Sequence, residues 1–498
     1  MSGLFLLAFG LLGQWLLGVA AAHLLLRSRS RAVSGSTEET PWAELAGLGL
    51  VLGIGLTAWG LFVWSLCGGM LGRSASLTFT VLGFVCGGPI LWVRLRSEWS
   101  RHSRAVPRKS PNQPSAIEID ERRDAAWSRL CQWLIGGLTV IALAQTLLTP
   151  HRFWDERSIF AIKGLVLSAD GSIRSPDLLD PDFVQYHPRY PLLIPLAEQH
   201  VYALLGGVDD RLSKIVFPLL YLGLVLTMAG VLSRRVLPGA AWLFALLLAT
   251  VPVLMPYELG FLSGQADAPM ACFHGLALLY LWDAYETDAS GHSHWLGSSI
   301  IAGLCGALAA FTKDEGIAFL LVDSVALGLI VITRRARLCA AVPLVSVVVC
   351  AVIVLAPWFV HRRGLPLTTE MDYFGRASLS LVIERLPVLA WEMGHLAHRM
   401  LWEWPHWGLH WWLMLVGLVT APRRVWSASQ MVLLLDVVGS LLALMVAGML
   451  APAQLDEHIG GSSPRFLMQL VPVAVLFAAG QLAPRRETRV SSEPAKLV

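Results

Sequence analysis

The chain has 498 residues and a formal net charge of +3, and only 15% of its residues are charged whereas 55% are hydrophobic. Soluble domains carry roughly 25% charged residues, so this composition, with a mean hydropathy of +0.60, excludes an ordinary soluble globular protein. The small net charge gives no indication of a nucleic-acid partner, and none is expected. The seven cysteines lie in or beside apolar runs without CxxC spacing, so neither a disulfide framework nor a metal site is predicted.

Long apolar segments recur along the chain and predict an all-α polytopic membrane protein, because a helix needs ~20 apolar residues to cross a bilayer. The N-terminal segment lacks the basic region of a signal peptide and is expected to be retained as a span. About 13 candidate transmembrane helices lie near residues 3–26, 45–66, 77–93, 130–149, 215–233, 240–257, 267–285, 297–312, 316–333, 339–359, 407–421, 428–450 and 466–483.

Basic residues in the short loops predict the orientation, since cytoplasmic loops carry an excess of Lys and Arg. If the N-terminus is outside and the C-terminus inside, all basic clusters fall on one side. This alternation requires that residues 195–206 do not cross, and an amphipathic helix lying in the interface is predicted there. The clusters are Arg27, Arg29 and Arg31; Arg94, Arg96, Arg101, Arg104, Arg108 and Lys109; Arg234 and Arg235; Arg334, Arg335 and Arg337; and Arg423 and Arg424.

A polar stretch with Pro and Ser, from Ser97 to Asp124, predicts a flexible cytoplasmic linker. The Trp-rich stretch 391–412 is typical of an aromatic belt at a membrane surface. No internal repeat is evident. The expected organisation is three N-terminal transmembrane helices (1–96), the linker (97–128), a larger transmembrane bundle (129–485) and a cytoplasmic tail (486–498).

Charged residues beside the spans are the candidate catalytic groups, because charges at the mouth of a membrane bundle are costly and usually functional. Asp155 and Glu156 follow the fourth span, at the expected start of a helix. There Asp155 is either a general base or only an N-cap. Asp267, Lys313 and Arg465 border other spans on the same predicted face. Carboxylates suit the activation of a hydroxyl, and Lys and Arg suit a phosphate. Lys313 and Arg465 are therefore predicted to bind a phosphate group of the substrate.

A second motif, His-Pro-Arg-Tyr-Pro, carries His187, Arg189 and Tyr190. Its prolines predict a stiff extended turn that holds these side chains at the mouth of the bundle, although a helix-entry signal is the alternative. Arg157 and Lys163, which follow the acidic pair, complete the candidate substrate-binding residues.

The following motifs occur in this order along the chain: WDERSIFAIKGLVL, YHPRYPLL, LLGGVDDRLSK, SRR, GQADAPMACF, AAFTKDEG, APWFV and PRFLMQLVP. Together they resemble the membrane-embedded GT-C glycosyltransferases, in particular the lipid A aminoarabinose transferases, the protein O-mannosyltransferases and their bacterial relatives. The resemblance covers roughly residues 130–483. The acidic pair of the first motif is its most specific part, and Arg157 and Arg189 depart from the pattern common in that family.

The resemblance implies a GT-C-like bundle that moves a sugar from a polyprenyl-phosphate donor to a hydroxyl of a lipid, glycan or protein. No metal or other cofactor is predicted. It implies that Asp155 is the base, that Asp267 is a second acidic site residue, and that Thr312, Lys313 and Arg465 belong to the site. A bacterial inner membrane with the active site on the outer face is expected. A transporter or flippase of lipid-linked saccharides is the alternative, for which charges near mid-membrane and two related halves are typical.

The predicted orientation can be tested by labelling single cysteines introduced into the chain. Cysteines at Ser172 and Gly461 should react with a membrane-impermeant maleimide in intact cells, whereas a cysteine at Ser110 should react only after lysis. Labelling of Ser110→Cys from outside would reverse the orientation and move the candidate site to the cytoplasmic face.

Overall fold

The computed structural model of the protein describes residues 2–27, 40–104, 116–255, 259–289, 295–333, 341–367, 378–451 and 455–486. An isolated bridge between Val236 and Arg485 is the only extended pairing in these ranges, so the all-α prediction is confirmed. The helices are α1 Ser2–Leu26, α2 Trp42–Leu66, α3 Arg73–Arg104, α4 Ala116–Leu148, α5 Ile162–Asp170, α6 Pro176–Leu179, α7 Leu193–Leu205, α8 Val216–Leu232, α9 Pro238–Ala249, α10 Asp267–Ala289, α11 Trp295–Thr312, α12 Glu315–Thr333, α13 Val342–Arg362, α14 Leu379–Trp402, α15 Trp404–Trp407, α16 His410–Thr420, α17 Pro422–Val425, α18 Ala428–Leu450 and α19 Leu455–Leu482.

All 13 predicted spans correspond to helices. In the part of the chain that the structure describes, ten are long and apolar enough to cross a membrane: α1 to α4, α8, α11 to α13, α18 and α19. α10 has 23 residues but several polar ones. α9 and α16 have only 12 and 11 residues, so the lengths predicted for these two spans were wrong. Proline accounts for both early ends, because Pro252 follows α9 and Pro422 follows α16.

α10 defines the two ends of the bundle. Its first residue, Asp267, pairs with Lys313, whereas Asp283, near its other end, pairs with Arg234 and Arg235. We call these the site end and the basic end. The basic residues Arg94 and Arg424 also bond to groups near the basic end, at the start of α2 and the end of α19. The described basic clusters therefore share one end, as the sequence predicts; that this end faces the cytoplasm stays a prediction.

The three N-terminal helices are packed against the rest of the bundle, mainly through α2 and α8. At their crossing a Cβ on Gly47 would lie 2.6 Å from the carbonyl oxygen of Gly223, so only small residues allow this approach. At the basic end, Glu44 of α2 accepts from Arg234 Nη2 at 3.2 Å and from the Tyr280 hydroxyl at 3.0 Å. This buried ion pair connects the N-terminal helices to the rest of the bundle.

The predicted flexible linker is shorter than expected. α3 continues to Arg104 and α4 begins at Ala116, so both ends of the stretch from Ser97 to Asp124 are helical. The sequence AIEIDERRDAAW at the start of α4 consists largely of good helix formers. Its three prolines and two of its five serines fall in residues 105–115, which lie outside the described residues.

α7 is the segment predicted to lie in the interface. Its 13 residues are too few to cross a membrane, as the predicted topology requires. However, residues 193–204 are all buried, because α7 packs against α1, α2, α3 and α5. Its polar residues Glu198, Gln199 and His200 therefore face protein on every side.

Candidate functional site

The helix that carries the acidic pair begins at Trp154, forms a π-helical turn over Glu156–Ala161 and continues as α5. Successive helical residues project about 100° apart. The side chain of Asp155 is accordingly 21% exposed, whereas that of Glu156 is fully buried. Asp155 lies at the helix start as predicted, but its side chain caps no backbone N–H. Capping therefore does not account for Asp155, and π-helical turns are frequent at functional sites.

Glu156 holds this loop together. Its Oε1 lies 2.8 Å from Lys214 Nζ and 2.9 Å from His151 Nδ1. Its Oε2 accepts from the backbone N–H groups of Arg152 at 2.7 Å and Phe153 at 3.0 Å. Burial opposes the charge, but these donors outweigh it and hold the pKa of Glu156 below its usual value. A carboxylate engaged by four donors is suited to fixing a loop.

Glu156 also supports the loop that leads into α10. Gly264 in this loop has a φ of 74°, a left-handed conformation that favours glycine. A Cβ at Gly264 would lie 2.4 Å from Glu156 Oε1. Asp267 follows three residues later, so Glu156 helps to position a second acidic residue of the candidate site.

Four separate segments bring the sequence-predicted charges together at the site end. Arg465 of α19 pairs with Asp155 at 2.5 Å. Lys313, between α11 and α12, lies 2.7 Å from Asp267 and 2.7 Å from Glu315. Arg465 is also within electrostatic reach of Asp267 and Glu315. Asp155, Asp267, Lys313 and Arg465 thus belong to one cluster, as the sequence predicts.

Within this cluster the carboxylates keep Lys313 charged. Burial lowers the pKa of Lys313, but Asp267 and Glu315 more than compensate and raise it above its usual value. Asp267 Oδ1 accepts a second hydrogen bond, from Gln469 Nε2 at 3.2 Å. Asp267 Oδ2 is buried and accepts none, so it is available to a substrate hydroxyl.

A second group lies around Tyr190. Lys163 Nζ lies 5.5 Å from the centre of the Tyr190 ring, and the His187 ring stacks on Tyr190 at 4.9 Å. His187 has a φ of 51°, so the motif forms a left-handed turn and not the extended one that the sequence predicted. The 3-10 helix Pro181–Tyr186 ends at His187, which explains this conformation, and such strain is common at functional sites.

Lys163 and Arg189 supply the positive charge of this second group. Lys163 is fully buried, and its Nζ donates no hydrogen bond; Arg189 Nε likewise donates none. Burial lowers the pKa of Lys163 to about 7, against the attraction of Asp314. Burial also raises the pKa of Asp314 to about 6, although Arg362 binds its carboxylate through two hydrogen bonds of 3.1 and 2.8 Å. This arrangement suits an anionic ligand.

Arg157 is the one predicted substrate-binding residue for which the structure shows no contact with either group; its side chain is exposed. Sequence reasoning missed His151, Lys214 and Glu198 of the Glu156 network. Burial raises the pKa of Glu198 to about 7, and its Oε1 lies 3.5 Å from His151 Nε2. Glu198 could have been identified from the sequence, because it is a charged residue inside a short apolar helix.

A cavity of about 240 Å³ adjoins the site end between α14 and the start of α19. Arg399 lines it and donates a hydrogen bond to Ser463 at 3.0 Å, two residues before Arg465. Its polar lining would suit a hydroxylated ligand. The remaining lining residues are Glu392, His395, Leu396, His398 and Glu403.

Three further residues could hold a metal ion. His274 of α10, Asp323 of α12 and Asp436 of α18 are buried, and their ligand atoms all lie within 4.8 Å of one another. They are 49 and 113 residues apart in the sequence, which is why no spacing motif revealed them. They lie inside the bundle, about 10 Å from the site end, since His274 follows Asp267 by seven helical residues.

Comparisons with known proteins give little further information. No protein-family model matches the chain, and no curated protein matches it significantly. Among solved structures, the chain is similar to the archaeal oligosaccharyltransferase AglB from Archaeoglobus fulgidus in complex with an inhibitory peptide and a dolichol-phosphate. The identity is 12% and the TM-score 0.36, and the match covers 70% of this chain and 50% of that enzyme. Half of the enzyme's length thus has no counterpart in the match.

The different roles of the adjacent acidic residues predict different effects on stability. Glu156→Gln should lower the free energy of unfolding by about 3–5 kcal/mol, because it leaves the buried Lys214 without its charge partner. Asp155→Asn, the matched control, breaks a partly exposed pair and should cost about 1 kcal/mol or less. Thermal unfolding of the detergent-purified proteins measures both changes.

The pH dependence of the Glu156→Gln effect follows from the lowered pKa. A carboxylate with a lowered native pKa stabilises the fold above its unfolded pKa and loses this contribution as the pH falls through the native value. The difference in the free energy of unfolding between wild type and Glu156→Gln should therefore be largest at pH 7 and should decrease below about pH 4. Equal stability of the two proteins at pH 7 would contradict the structural role.

Proposed function

We propose that the protein is an integral membrane glycosyltransferase that transfers a sugar from a polyprenyl-phosphate donor to an acceptor hydroxyl at the site end. One observation carries the proposal. Asp155, partly exposed and paired with Arg465, lies in one cluster with Asp267 and Lys313 although four separate segments contribute these residues. Charged groups at the mouth of a membrane bundle cost desolvation free energy, so their convergence at one place indicates a function.

In this mechanism Asp155 is the general base. Arg465 engages Asp155 Oδ2 and fixes the carboxylate, so Oδ1 can accept the proton of the acceptor hydroxyl. The hydroxyl oxygen then attacks the anomeric carbon while the bond from that carbon to the phosphate oxygen breaks. The polyprenyl phosphate leaves with the bonding electrons, and one displacement inverts the anomeric configuration. Asp267 Oδ2, buried without a hydrogen bond, would orient a sugar or acceptor hydroxyl.

The donor phosphate is assigned to the group around Tyr190. Lys313 and Arg465 are already neutralised by carboxylates, which suits them to holding the acidic residues in place. Lys163 Nζ and Arg189 Nε donate no hydrogen bonds and would gain a partner in the phosphate. His187 and Tyr190 would shape this pocket, and the lipid tail would lie between the helices.

The acceptor would enter through the cavity between α14 and α19, whose lining offers hydrogen-bonding groups next to the start of α19. We propose that the site end is on the outer side of a bacterial inner membrane, because the basic end would then face the cytoplasm. A hydroxyl on an envelope lipid, glycan or protein fits this location.

A transporter of lipid-linked saccharides is the second candidate. The buried group of His274, Asp323 and Asp436 inside the spans favours it, because ionisable residues at such depth often mark transport pathways. Proteoliposomes with a labelled polyprenyl-phosphate sugar in one leaflet separate the two functions. Movement of the label across the membrane without transfer to an acceptor would support the transporter.

Asp155→Asn should abolish most of the transfer. It keeps the shape of the side chain but removes a base that typically contributes 10²–10⁴-fold to the rate, so turnover should fall by about this factor. Mass spectrometry of envelope lipids and glycans from a deletion strain would identify the acceptor, and the rate would then be measured with purified protein and donor.

The control for this prediction is Asp177→Asn, an exposed acidic residue in the first turn of α6, which should leave the rate unchanged. Donor binding should be retained in Asp155→Asn. Near-normal transfer by a folded Asp155→Asn protein would remove Asp155 from the mechanism.

Lys163→Met should weaken donor binding by roughly 10- to 150-fold, since a hydrogen bond to a charged group contributes about 1.5–3 kcal/mol. The methionine keeps the packing of the side-chain stem. Binding to wild type should also weaken as the pH rises from 6 to 8, because Lys163 loses its proton and Asp314 gains negative charge. The Lys163→Met protein should show a smaller pH effect.

Binding is measured with the donor lipid in detergent micelles or nanodiscs. Arg174→Ala removes an exposed cation of the same outer segment and should leave the affinity unchanged. Lys313→Met is the discriminating variant. If Lys313→Met abolishes binding while Lys163→Met binds normally, the phosphate lies at Lys313 and not at Lys163.

A further inference from the structure

We propose that His274, Asp323 and Asp436 bind a divalent transition-metal ion inside the helical bundle. The site is separate from the acidic cluster at the site end and does not depend on the proposed glycosyltransferase activity. Its ligands come from three helices, α10, α12 and α18, so the ion would join helices that the sequence separates widely.

The geometry suits direct coordination by these side chains. His274 Nε2 lies 3.2 Å from Asp436 Oδ1 and 3.8 Å from Asp323 Oδ2. Metal bonds of about 2.0–2.2 Å place neighbouring ligand atoms of a tetrahedral site roughly 3.3–3.6 Å apart. The observed separations bracket this range, so an ion could be bound with small side-chain adjustments.

The environment supplies a second and independent indication of a ligand. His274, Asp323 and Asp436 are 1%, 2% and 0% exposed, and Asp323 Oδ1 and Asp436 Oδ2 accept no hydrogen bond. Two ionised carboxylates in a membrane interior have a large desolvation cost unless a positive charge compensates it. A divalent cation bound by two carboxylates and a neutral imidazole gives a site without net charge.

Residues around the cluster orient the ligands as in known metal sites. His274 Nδ1 lies 3.5 Å from the carbonyl oxygen of Gln469, and Ser440 donates to Asp436 Oδ1 at 3.3 Å. A histidine that donates through Nδ1 presents the lone pair of Nε2 to a metal. The Phe319 ring packs 4.5 Å from the His274 ring and helps to exclude water.

The chemistry of the ligands points to zinc or a similar ion. One imidazole and two carboxylates suit Zn²⁺, Mn²⁺ or Fe²⁺, whereas Ca²⁺ and Mg²⁺ prefer oxygen ligands alone. The three ligands would tie α10 to α12 and α18 below the site end.

Elemental analysis of the full-length protein tests the proposal. Tag-free protein purified in detergent and dialysed against metal-free buffer should contain about one equivalent of a divalent transition metal. A strong chelator should lower the thermal unfolding midpoint, and Zn²⁺ alone should restore it. Absence of metal together with no effect of added Zn²⁺ would overturn the proposal. The three side chains would then only share protons among themselves.

Variants assign the ion to this cluster. Asp323→Asn, Asp436→Asn and His274→Ala should each lose the metal and the response to chelator. Asp283→Asn is the matched control, because Asp283 is a buried carboxylate of the same helix as His274 and pairs with Arg234. This variant should keep the metal.

If a ligand variant does not fold, X-ray absorption of the wild-type protein decides. Nitrogen and oxygen ligands without sulfur support the site, and thiolate ligation overturns it. Retention of full metal content by folded ligand variants also overturns it.

Discussion

The compensation of the buried Glu156 charge is the interaction on which the candidate site depends. Glu156 binds Lys214 and His151, which lie at opposite ends of the segment between α4 and α8, and the backbone N–H groups of Arg152 and Phe153. A lone carboxylate in such a place would be very unfavourable, so the loop can adopt only conformations that keep these donors together. This constraint turns Asp155 toward the mouth of the bundle and supports the turn before Asp267.

α10 extends the same principle through the whole bundle. Its polar residues Asp267, His274 and Asp283 lie at three levels along the helix, and each contacts a charged side chain from another segment of the chain. Gln469 of α19 connects the first two levels, since its side chain donates to Asp267 and its carbonyl lies beside His274. Polar contacts thus fix the register of α10 against α19, which apolar packing alone specifies less strictly.

The sequence predicted the class of fold, the spans and the residues of the site-end cluster, because hydropathy and rare charges are strong signals in membrane proteins. It did not reveal the role of Glu156 or the cluster of His274, Asp323 and Asp436. Those contacts join residues far apart in the chain, and neither spacing nor composition encodes them. The lengths of α9 and α16 and the left-handed turn at His187 were also missed, because neighbouring prolines and tertiary contacts decide them.

The short helices α9 and α16 have a consequence for the surrounding lipid. With 12 and 11 residues they span about 16–18 Å, against a hydrocarbon thickness of about 30 Å. Both lie toward the basic end, since α9 begins shortly after Arg235 and α16 ends just before Arg423. Hydrophobic mismatch is therefore concentrated in the opposite leaflet, where the bilayer must thin or give way to irregular segments of the protein.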